Sequence, residues 1–268
     1  MKKFAVATAV LLALSTASGS ECTEQDLAVF DQAIAAREKQ KFNLSAWRYK
    51  ATVTGVRIDK DKGGRRFEGA LTANRVYTKK SGAKYTGVRF TGDKSMNDGP
   101  LWAPGPLKVF IEQDEQMNAP VRTRADAASK ISSKLYKVVS CEMGIFNEKL
   151  GQKVHRFTVA PKAATEGLFE GYLDADPETL LTMSEVSTKV YLSGKATGKL
   201  GGRMKEFNFE RLFKVVDGVI SVPFYFKTHA TSGWGQYSDV TLEAKFELID
   251  YKYDEAPSEP ETKGRNRP

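Results

Sequence analysis

The sequence predicts a mostly β protein whose strands form an antiparallel sheet. Apolar and polar residues alternate in several segments, most clearly in VTLEAKFELIDYKY at residues 240–253. The dipeptide Asp217-Gly218 separates two such segments and suits the positive φ angles that a two-residue hairpin turn needs. The main helical pattern is one amphipathic segment, and it precedes all the strands. A single all-β domain over residues 21–253 accounts for these observations.

The first 20 residues have the features of a secretory signal peptide. Two lysines precede a short apolar segment from Phe4 to Leu14, and the small residues of STASGS follow. The apolar segment is too short to cross a bilayer, and Glu21 stands where lipidation of Cys22 would need a small residue. We therefore expect residues 1–20 to be a signal peptide and the mature protein to be exported and not integral to a membrane. The alternative is a short buried helix.

The one substantial helix is predicted from Thr23 to Lys41. Thr23 is a suitable N-cap, and Asp26 lies where the helix dipole favours an acid. Leu27, Phe30 and Ile34 form an apolar stripe along one side. A helix of this kind has to bury its stripe on the sheet.

The remaining elements follow from the alternation and from the turn residues between its segments. The early predicted strands are residues 47–58, 67–77, 84–91, 135–143, 153–161, 166–174 and 180–191, and the last strands lie between 207 and 253. The alternation fails from Gly92 to Asn118, where we expect a long loop with at most a helical turn or two. Residues Ala125 to Leu135 are consistent with a short helix. The polar segment 254–268 is predicted to be a disordered tail.

Two cysteines are present, Cys22 and Cys141. In an oxidising export compartment they are candidates for a disulfide that ties the N-terminus to the middle of the chain. The alternative is a pair of separate thiols.

The formal net charge of +8 is modest for 268 residues. It is compatible with attraction to anionic membranes or acidic polymers, and equally with an ordinary solvated surface. Basic and aromatic residues do not interleave as they do in nucleic-acid-binding modules, so we expect no nucleic-acid partner.

The sequence lacks the residue combinations that catalysis or metal binding requires. His155 and His229 have no serine or cysteine at a spacing that indicates a catalytic pair. The acids of Asp174–Glu178 suit a hairpin turn better than a calcium loop. The glycine- and lysine-containing loop at residues 194–199 does not have the spacing of a phosphate-binding loop. We predict a protein that is not an enzyme and has no metal or cofactor.

The predicted strand faces carry more apolar surface than one helix can cover. A helix of some nineteen residues is about 28 Å long, which is short for a sheet of eight or more strands. The 92–118 segment, a ligand or a partner must cover the rest. The candidate ligand-binding residues are Phe90, Trp102, Phe207, Phe209, Phe213, Phe224 and Phe226. Arg211 interrupts the apolar face that carries Phe207, Phe209 and Phe213.

Three segments carry a resemblance to a known family. They are FEGYLDADPETLL at Phe169–Leu181, VDGVISVPFYF at Val216–Phe226, and FELIDYKY at Phe246–Tyr253. Together with the order of the elements, they resemble the LolA/LolB-like family of Gram-negative periplasms, which is linked to outer-membrane lipoprotein sorting. The resemblance implies a strongly curved antiparallel sheet, a half-barrel, with the N-terminal helix and a helical or loop insertion on its concave face. It also implies an apolar cavity that holds lipid or the acyl chains of lipoproteins.

The leading hypothesis is therefore a periplasmic, non-enzymatic binding protein that shelters a lipid, an acyl chain or a lipoprotein in an apolar half-barrel. An outer-membrane component is a further candidate partner. The alternative is a structural or regulatory interaction module whose own residues 92–118 fill the cavity.

Overall fold

The computed structural model describes residues 21–60, 63–98, 105–128, 130–192, 203–233 and 238–254. The predicted signal peptide, Trp102 and residues 255–268 of the predicted tail lie outside these ranges. The elements in chain order are α1 Glu24–Asn43, β1 Leu44–Asp59, β2 Arg65–Thr78, β3 Gly82–Gly92, α2 Lys94–Asn97, α3 Pro106–Met117, α4 Arg124–Ala127, β4 Tyr136–Asn147, β5 Gln152–Pro161, β6 Phe169–Ala175, β7 Thr182–Val190, β8 Arg203–Val216, β9 Ile220–Gly233 and β10 Ser238–Tyr253.

The ten strands that the structure describes form a single antiparallel sheet. Their order is β3-β2-β1-β10-β9-β8-β7-β6-β5-β4, so β1 pairs with β10 and the first and last strands lie in the middle. The sheet is open, because its two edge strands, β3 and β4, do not pair with each other. This arrangement confirms the predicted mostly β half-barrel.

The N-terminal helix begins where the sequence predicted. Thr23 caps α1, and its hydroxyl accepts a hydrogen bond from the backbone N–H of Asp26 while the Asp26 carboxylate accepts one from the Thr23 N–H. Cys22, one residue before the cap, forms a disulfide with Cys141 on β4, and their Cα atoms are 5.1 Å apart. The disulfide holds the start of α1 against the edge of the sheet.

Because apolar and polar residues alternate in the central strands, their apolar side chains lie on one side of the sheet, and the helices pack on that side. Leu242 and Ala244 on β10 are buried and lie beside Gly55 and Val53 on β1. The β8–β9 hairpin turns at Asp217, with φ of 52°, and Gly218, with φ of 67°, as the Asp-Gly pair predicted. We call the side on which the helices pack the concave face.

Two groups of helices cover different parts of the concave face. Helix α1 contributes Phe30 and Ala33 to a cluster with residues of β4, β5 and β6. Helices α2 and α3 contribute Met96, Leu107 and Phe110 to a second cluster with residues of β1, β2 and β10. Phe30 and Ile34 of the predicted α1 stripe pack on the sheet, but Leu27 is 40% exposed, so the expectation that the whole stripe is buried was wrong at Leu27. Residues of the 92–118 segment occupy the other end of the concave face.

A pair of glycines lets α2 approach the sheet closely. Gly55 on β1 and Gly69 on β2 lie opposite each other. A Cβ atom on Gly69 would lie 2.8 Å from the Met96 Cβ atom, and one on Gly55 would lie 2.8 Å from the Met96 Cε atom. Met96 is fully buried in the space that the two missing side chains leave.

The 92–118 segment is more helical than the sequence predicted. Helix α3 has 12 residues, which is more than the turn or two expected. Pro106 occupies the first turn, where its fixed φ starts a helix and does not break one. Leu107, Phe110 and Asp114 then fall on one buried side. In contrast, α4 has only four residues and is shorter than the helix expected between Ala125 and Leu135.

The acidic segment after β6 is a hairpin turn, as the sequence indicated. The Asp176 carboxylate accepts hydrogen bonds from the backbone N–H groups of Glu178 and Thr179. Asp174 is buried and accepts hydrogen bonds from Asn147, Arg156 and Ser184.

Candidate functional site

The two clusters on the concave face meet at strands β8 and β9. Phe209 on β8 packs against the α1 cluster, with its ring centroid 5.1 Å from that of Phe169. Phe226 on β9 packs against the α3 cluster, with its ring centroid 6.0 Å from that of Phe110. The boundary between the two helix groups therefore runs across these two phenyl rings.

Two further residues complete this boundary. Phe207 lies two residues before Phe209 on the same side of β8, and their ring centroids are 6.2 Å apart. Arg211 follows on the same side, pairs with Phe226 in the strand register, and has its guanidinium 4.9 Å from the Phe209 centroid and 5.4 Å from the Phe226 centroid. We call Phe207, Phe209, Arg211 and Phe226 the aromatic seam. All four are partly buried.

A buried carboxylate lies beside the aromatic seam. Glu185 on β7 pairs with Arg211 in the strand register, and the Arg211 Nη1 atom is 3.2 Å from the Glu185 Oε2 atom. The other carboxylate oxygen forms an ion pair with Arg37 of α1. The Glu185 side chain is 2% exposed, whereas those of Arg37 and Arg211 are 31% and 30% exposed.

We call Arg37, Glu185 and Arg211 the triad. The positive charges of the two arginines keep Glu185 ionised. Burial raises the pKa of Glu185, but the charges and hydrogen bonds of Arg37 and Arg211 outweigh burial and hold that pKa below its ordinary value. The triad contains one carboxylate and two guanidinium groups, so the concave face carries one net positive charge at the aromatic seam.

A second buried ion pair fastens α3 to the sheet. Arg75 on β2 donates to Asp114 through Nε at 2.6 Å and Nη2 at 2.9 Å. The Asp114 carboxylate also accepts the hydroxyl of Tyr85 at 3.0 Å and the amide of Asn118 at 3.2 Å. The Arg75 guanidinium stacks on the Trp47 ring at 4.2 Å. Helix α3 is thus fixed to the sheet by an ion pair and hydrogen bonds as well as by the packing of its apolar residues.

The structure brings three of the predicted ligand-binding residues together, namely Phe207, Phe209 and Phe226 of the aromatic seam. Phe90 lies elsewhere, on β3, where it is partly buried against the α2–α3 cluster. Trp102 lies outside the described residues.

Phe213 and Phe224 lie at an irregularity in the β8–β9 pairing. Leu212 pairs with Tyr225 and Phe213 pairs with Pro223, so Phe224 has no partner in the register. Phe224 is 36% exposed and belongs to none of the core clusters of the described residues. The irregularity therefore interrupts the alternation of the β9 side chains between Phe224 and Phe226.

Sequence reasoning missed the three charged residues of the triad. Arg211 was recognised only as an interruption of an apolar strand face, and Arg37 and Glu185 were not singled out. Arg211 itself was the available sequence signal, since it is a charged residue on an otherwise apolar strand face. Such a residue needs a buried partner of opposite charge on a neighbouring element.

The two histidines have ordinary strand partners in the described part of the chain. The His155 Nδ1 atom accepts a hydrogen bond from the backbone N–H of Gly144 at 3.1 Å. The His229 Nδ1 atom is 3.3 Å from the hydroxyl of Thr241. Within the described ranges, no group of three or more His, Cys, Asp or Glu residues has the arrangement to hold a metal ion.

An open depression of about 540 Å³ lies on another part of the surface. It is lined by Lys79, Lys80, Val121 and Arg122, at the β2–β3 turn and the segment that follows α3. None of the predicted ligand-binding aromatic residues lines it.

None of the helices within the described ranges combines the length and apolar character needed to cross a bilayer. An open antiparallel sheet with helices on its concave face is the half-barrel arrangement that the sequence resemblance implied. No protein-family model matches the chain, and no curated protein matches its sequence.

Three solved structures are similar to the chain over most of its length. One is a putative outer membrane lipoprotein-sorting protein domain from Vibrio parahaemolyticus, with 12% identity, 88% of this chain and 95% of that chain covered, and a TM-score of 0.35. The second is a DUF1329 family protein from Desulfovibrio piger, with 12% identity, coverage of 88% and 96%, and a TM-score of 0.32. The third is a LolA superfamily protein from Nitrosomonas europaea, with 8% identity, coverage of 84% and 94%, and a TM-score of 0.29.

Proposed function

We propose that this protein is a periplasmic, non-enzymatic binding protein that shelters an acyl chain at the aromatic seam. The observation that carries the proposal is the position of Phe207, Phe209 and Phe226. The three partly buried rings lie on adjacent strands of the concave face, where the α1 cluster and the α3 cluster meet. An apolar chain inserted there would touch rings on both sides of the boundary.

Burial of the chain supplies the affinity. Each methylene group that leaves water contributes about 0.8 kcal/mol, so a chain of a dozen carbons has ample apolar surface to bind. The helices on either side are already fixed to the sheet. Little of their conformational entropy is therefore lost when a ligand binds. Helix α1 is fixed by the Cys22–Cys141 disulfide, and α3 by Arg75 and Asp114.

The export signal and the disulfide support a periplasmic location. The predicted signal peptide directs the chain out of the cytoplasm, and disulfides such as Cys22–Cys141 persist in oxidising compartments. The sequence resemblance favours lipid or the acyl chains of lipoproteins as ligand, with an outer-membrane component as a further partner. Phe90, Trp102, Phe213 and Phe224 stay predicted contacts for the ligand.

A second candidate function is an interaction module whose concave face is filled by its own chain. The burial of Met96, Leu107 and Phe110 favours it, because these residues of the 92–118 segment occupy one end of the concave face. The two candidates differ at the aromatic seam. The first requires an apolar ligand there, and the second requires none.

Displacement of a fluorescent fatty acid from the purified protein distinguishes the two candidates. We expect saturable binding in the wild type and weakening of about tenfold in Phe207→Ala, because the acyl chain would lose its contact with the partly buried ring. Phe146→Ala is the matched control, since Phe146 is an exposed phenyl ring on edge strand β4. Absence of saturable binding, together with absence of lipid in an organic extract of the protein, would contradict the first function and favour the second.

A further inference from the structure

The triad beside the aromatic seam has one more positive charge than its structural role needs. Arg37 of α1 and Glu185 of β7 already form an ion pair between the helix and the sheet. Arg211 contributes a second guanidinium to the same carboxylate. Since the Glu185 side chain is only 2% exposed, the surplus charge can be reached only through the two arginines, each about 30% exposed.

Among the residues that the structure describes, the guanidinium of Arg211 uses only part of its donor capacity. Its Nη1 atom donates to Glu185, while the contact of its Nη2 atom is the Met117 sulfur at 3.7 Å. A thioether is a weak acceptor, so this hydrogen bond leaves room for a stronger oxygen acceptor. Met117 is at the end of α3 and is 57% exposed, so its flexible side chain can move aside without disturbing the core.

The surroundings of Arg211 suit an amphiphile and not a small hydrophilic anion. The rings of Phe209 and Phe226 flank the guanidinium, and Phe207 continues the apolar surface along β8. A head group bound at Arg211 would therefore be followed directly by apolar side chains. A guanidinium binds carboxylate or phosphate oxygens through paired, charge-assisted hydrogen bonds.

We propose that Arg211 binds the oxyanion head group of an acyl ligand whose chain lies along the aromatic seam. The ligand class is an amphiphile with a carboxylate or phosphate head, such as a fatty acid or an alkyl phosphate. The inference rests on the proposed function, since it names the ligand class of the same site.

The test compares ligands that share a chain and differ only in the head group. Dodecanoate, dodecyl phosphate and dodecanol compete with a fluorescent fatty acid at pH 8, where the carboxylate is ionised. For the wild type we expect the two anions to bind at least about tenfold more tightly than the alcohol, which is the strength expected of charge-assisted hydrogen bonds. In Arg211→Gln this preference falls to about one, while the affinity for dodecanol stays within about twofold of the wild type.

Two further variants separate head-group binding from a structural role. Arg211→Lys keeps the charge and loses the paired geometry, so we expect it to keep part of the preference for the anions. Arg48→Gln removes an exposed arginine that pairs with Asp250 on β10, and it should keep the full preference. Thermal unfolding of each variant verifies that the fold is retained.

The outcomes distinguish this inference from the proposed function. Equal binding of the anions and the alcohol by the wild type overturns the inference and leaves the proposed function standing. Equal loss of all three ligands in Arg211→Gln and Arg211→Lys overturns it as well, because the arginine would then only maintain the site. Absence of binding of any of the three to the wild type contradicts the proposed function itself. A preference for one anion over the other identifies the head group as carboxylate or phosphate.

Discussion

Arg211 and Glu185 lie opposite each other on adjacent strands of the concave face, with 3.2 Å between the Arg211 Nη1 and Glu185 Oε2 atoms. The same carboxylate pairs with Arg37, so one buried side chain connects α1, β7 and β8. This connection lies beside the boundary between the two helix groups. It fixes α1 to the sheet and leaves a partly exposed guanidinium between two phenyl rings.

Replacing Glu185 by glutamine should destabilise the protein strongly. The variant leaves the two guanidinium groups without their counter-charge, and breaking a buried pair in this way costs about 3–5 kcal/mol. Urea unfolding followed by circular dichroism measures the loss. The control is Asp250→Asn, because Asp250 pairs with Arg48 at the surface and its replacement should leave the midpoint unchanged within error. A free energy of unfolding for Glu185→Gln equal to that of the wild type would show that the triad does not hold α1.

The contribution of Glu185 should depend on pH in a defined direction. Its pKa in the folded protein lies below the ordinary value of 4.5, because Arg37 and Arg211 outweigh the effect of burial. The stabilisation is therefore fully present above pH 4.5 and is lost as the pH falls below it through the folded-state pKa. The difference in unfolding free energy between wild type and Glu185→Gln should be constant near neutral pH and shrink in acid. Urea unfolding at a series of pH values and constant ionic strength tests this, and a difference that does not shrink below pH 4.5 would contradict it.

The disulfide should contribute several kcal/mol through the unfolded state. Cys22 and Cys141 are 119 residues apart, and closing a loop of about that length stabilises a protein by about 4–5 kcal/mol in the chain-entropy description. We expect the Cys22→Ser/Cys141→Ser double variant to lose about 4 kcal/mol in urea unfolding. Reductant should lower the stability of the wild type by the same amount and leave the double variant unaffected. An effect of reductant on the double variant would mean that the loss has another origin.

Asp114→Asn should loosen α3 before the rest of the protein. The variant leaves the buried Arg75 guanidinium without its carboxylate, at a cost of about 3 kcal/mol or more. Hydrogen exchange should accelerate first in the amides of Pro106–Met117. Glu115→Gln is the control, because Glu115 pairs with the exposed Lys84 and its amide oxygen can still accept the backbone N–H of Tyr85. Faster exchange spread evenly over the whole chain would contradict a local role for the Arg75–Asp114 pair.

The positions of most strands along the chain and the capped N-terminal helix followed from local patterns in the sequence. The alternation through Leu242 and Ala244 identified the buried side of β10, and the Asp217-Gly218 dipeptide identified the last hairpin. The pairing of Cys22 with Cys141 was proposed from the predicted export of the chain, and the disulfide is confirmed. The alternation and the turn depend on residues that are close together in sequence. The disulfide depends on the oxidising compartment that the predicted export implies.

Features that depend on contacts between distant parts of the chain were not predictable. Helix α3 was underestimated because the strand alternation fails across the 92–118 segment, and its stability comes from Leu107 and Phe110 packing on strands far away in sequence. The irregular pairing at Phe224 has no signature in the alternation. The triad brings Arg37, Glu185 and Arg211 together from three elements. Sequence reasoning identified the phenyl rings of the candidate site but not the charged group beside them.

Photo-crosslinking with a fatty acid that carries a diazirine at the end of its chain tests the central claim most directly. We expect the label on the peptides that contain Phe207, Phe209 and Phe226, and we expect excess unlabelled fatty acid to compete for it. Loss of this labelling in Phe207→Ala, with retention in Phe146→Ala, would place the acyl chain at the aromatic seam. Labelling only on the outer face of the sheet, or labelling that unlabelled fatty acid does not reduce, would contradict the account.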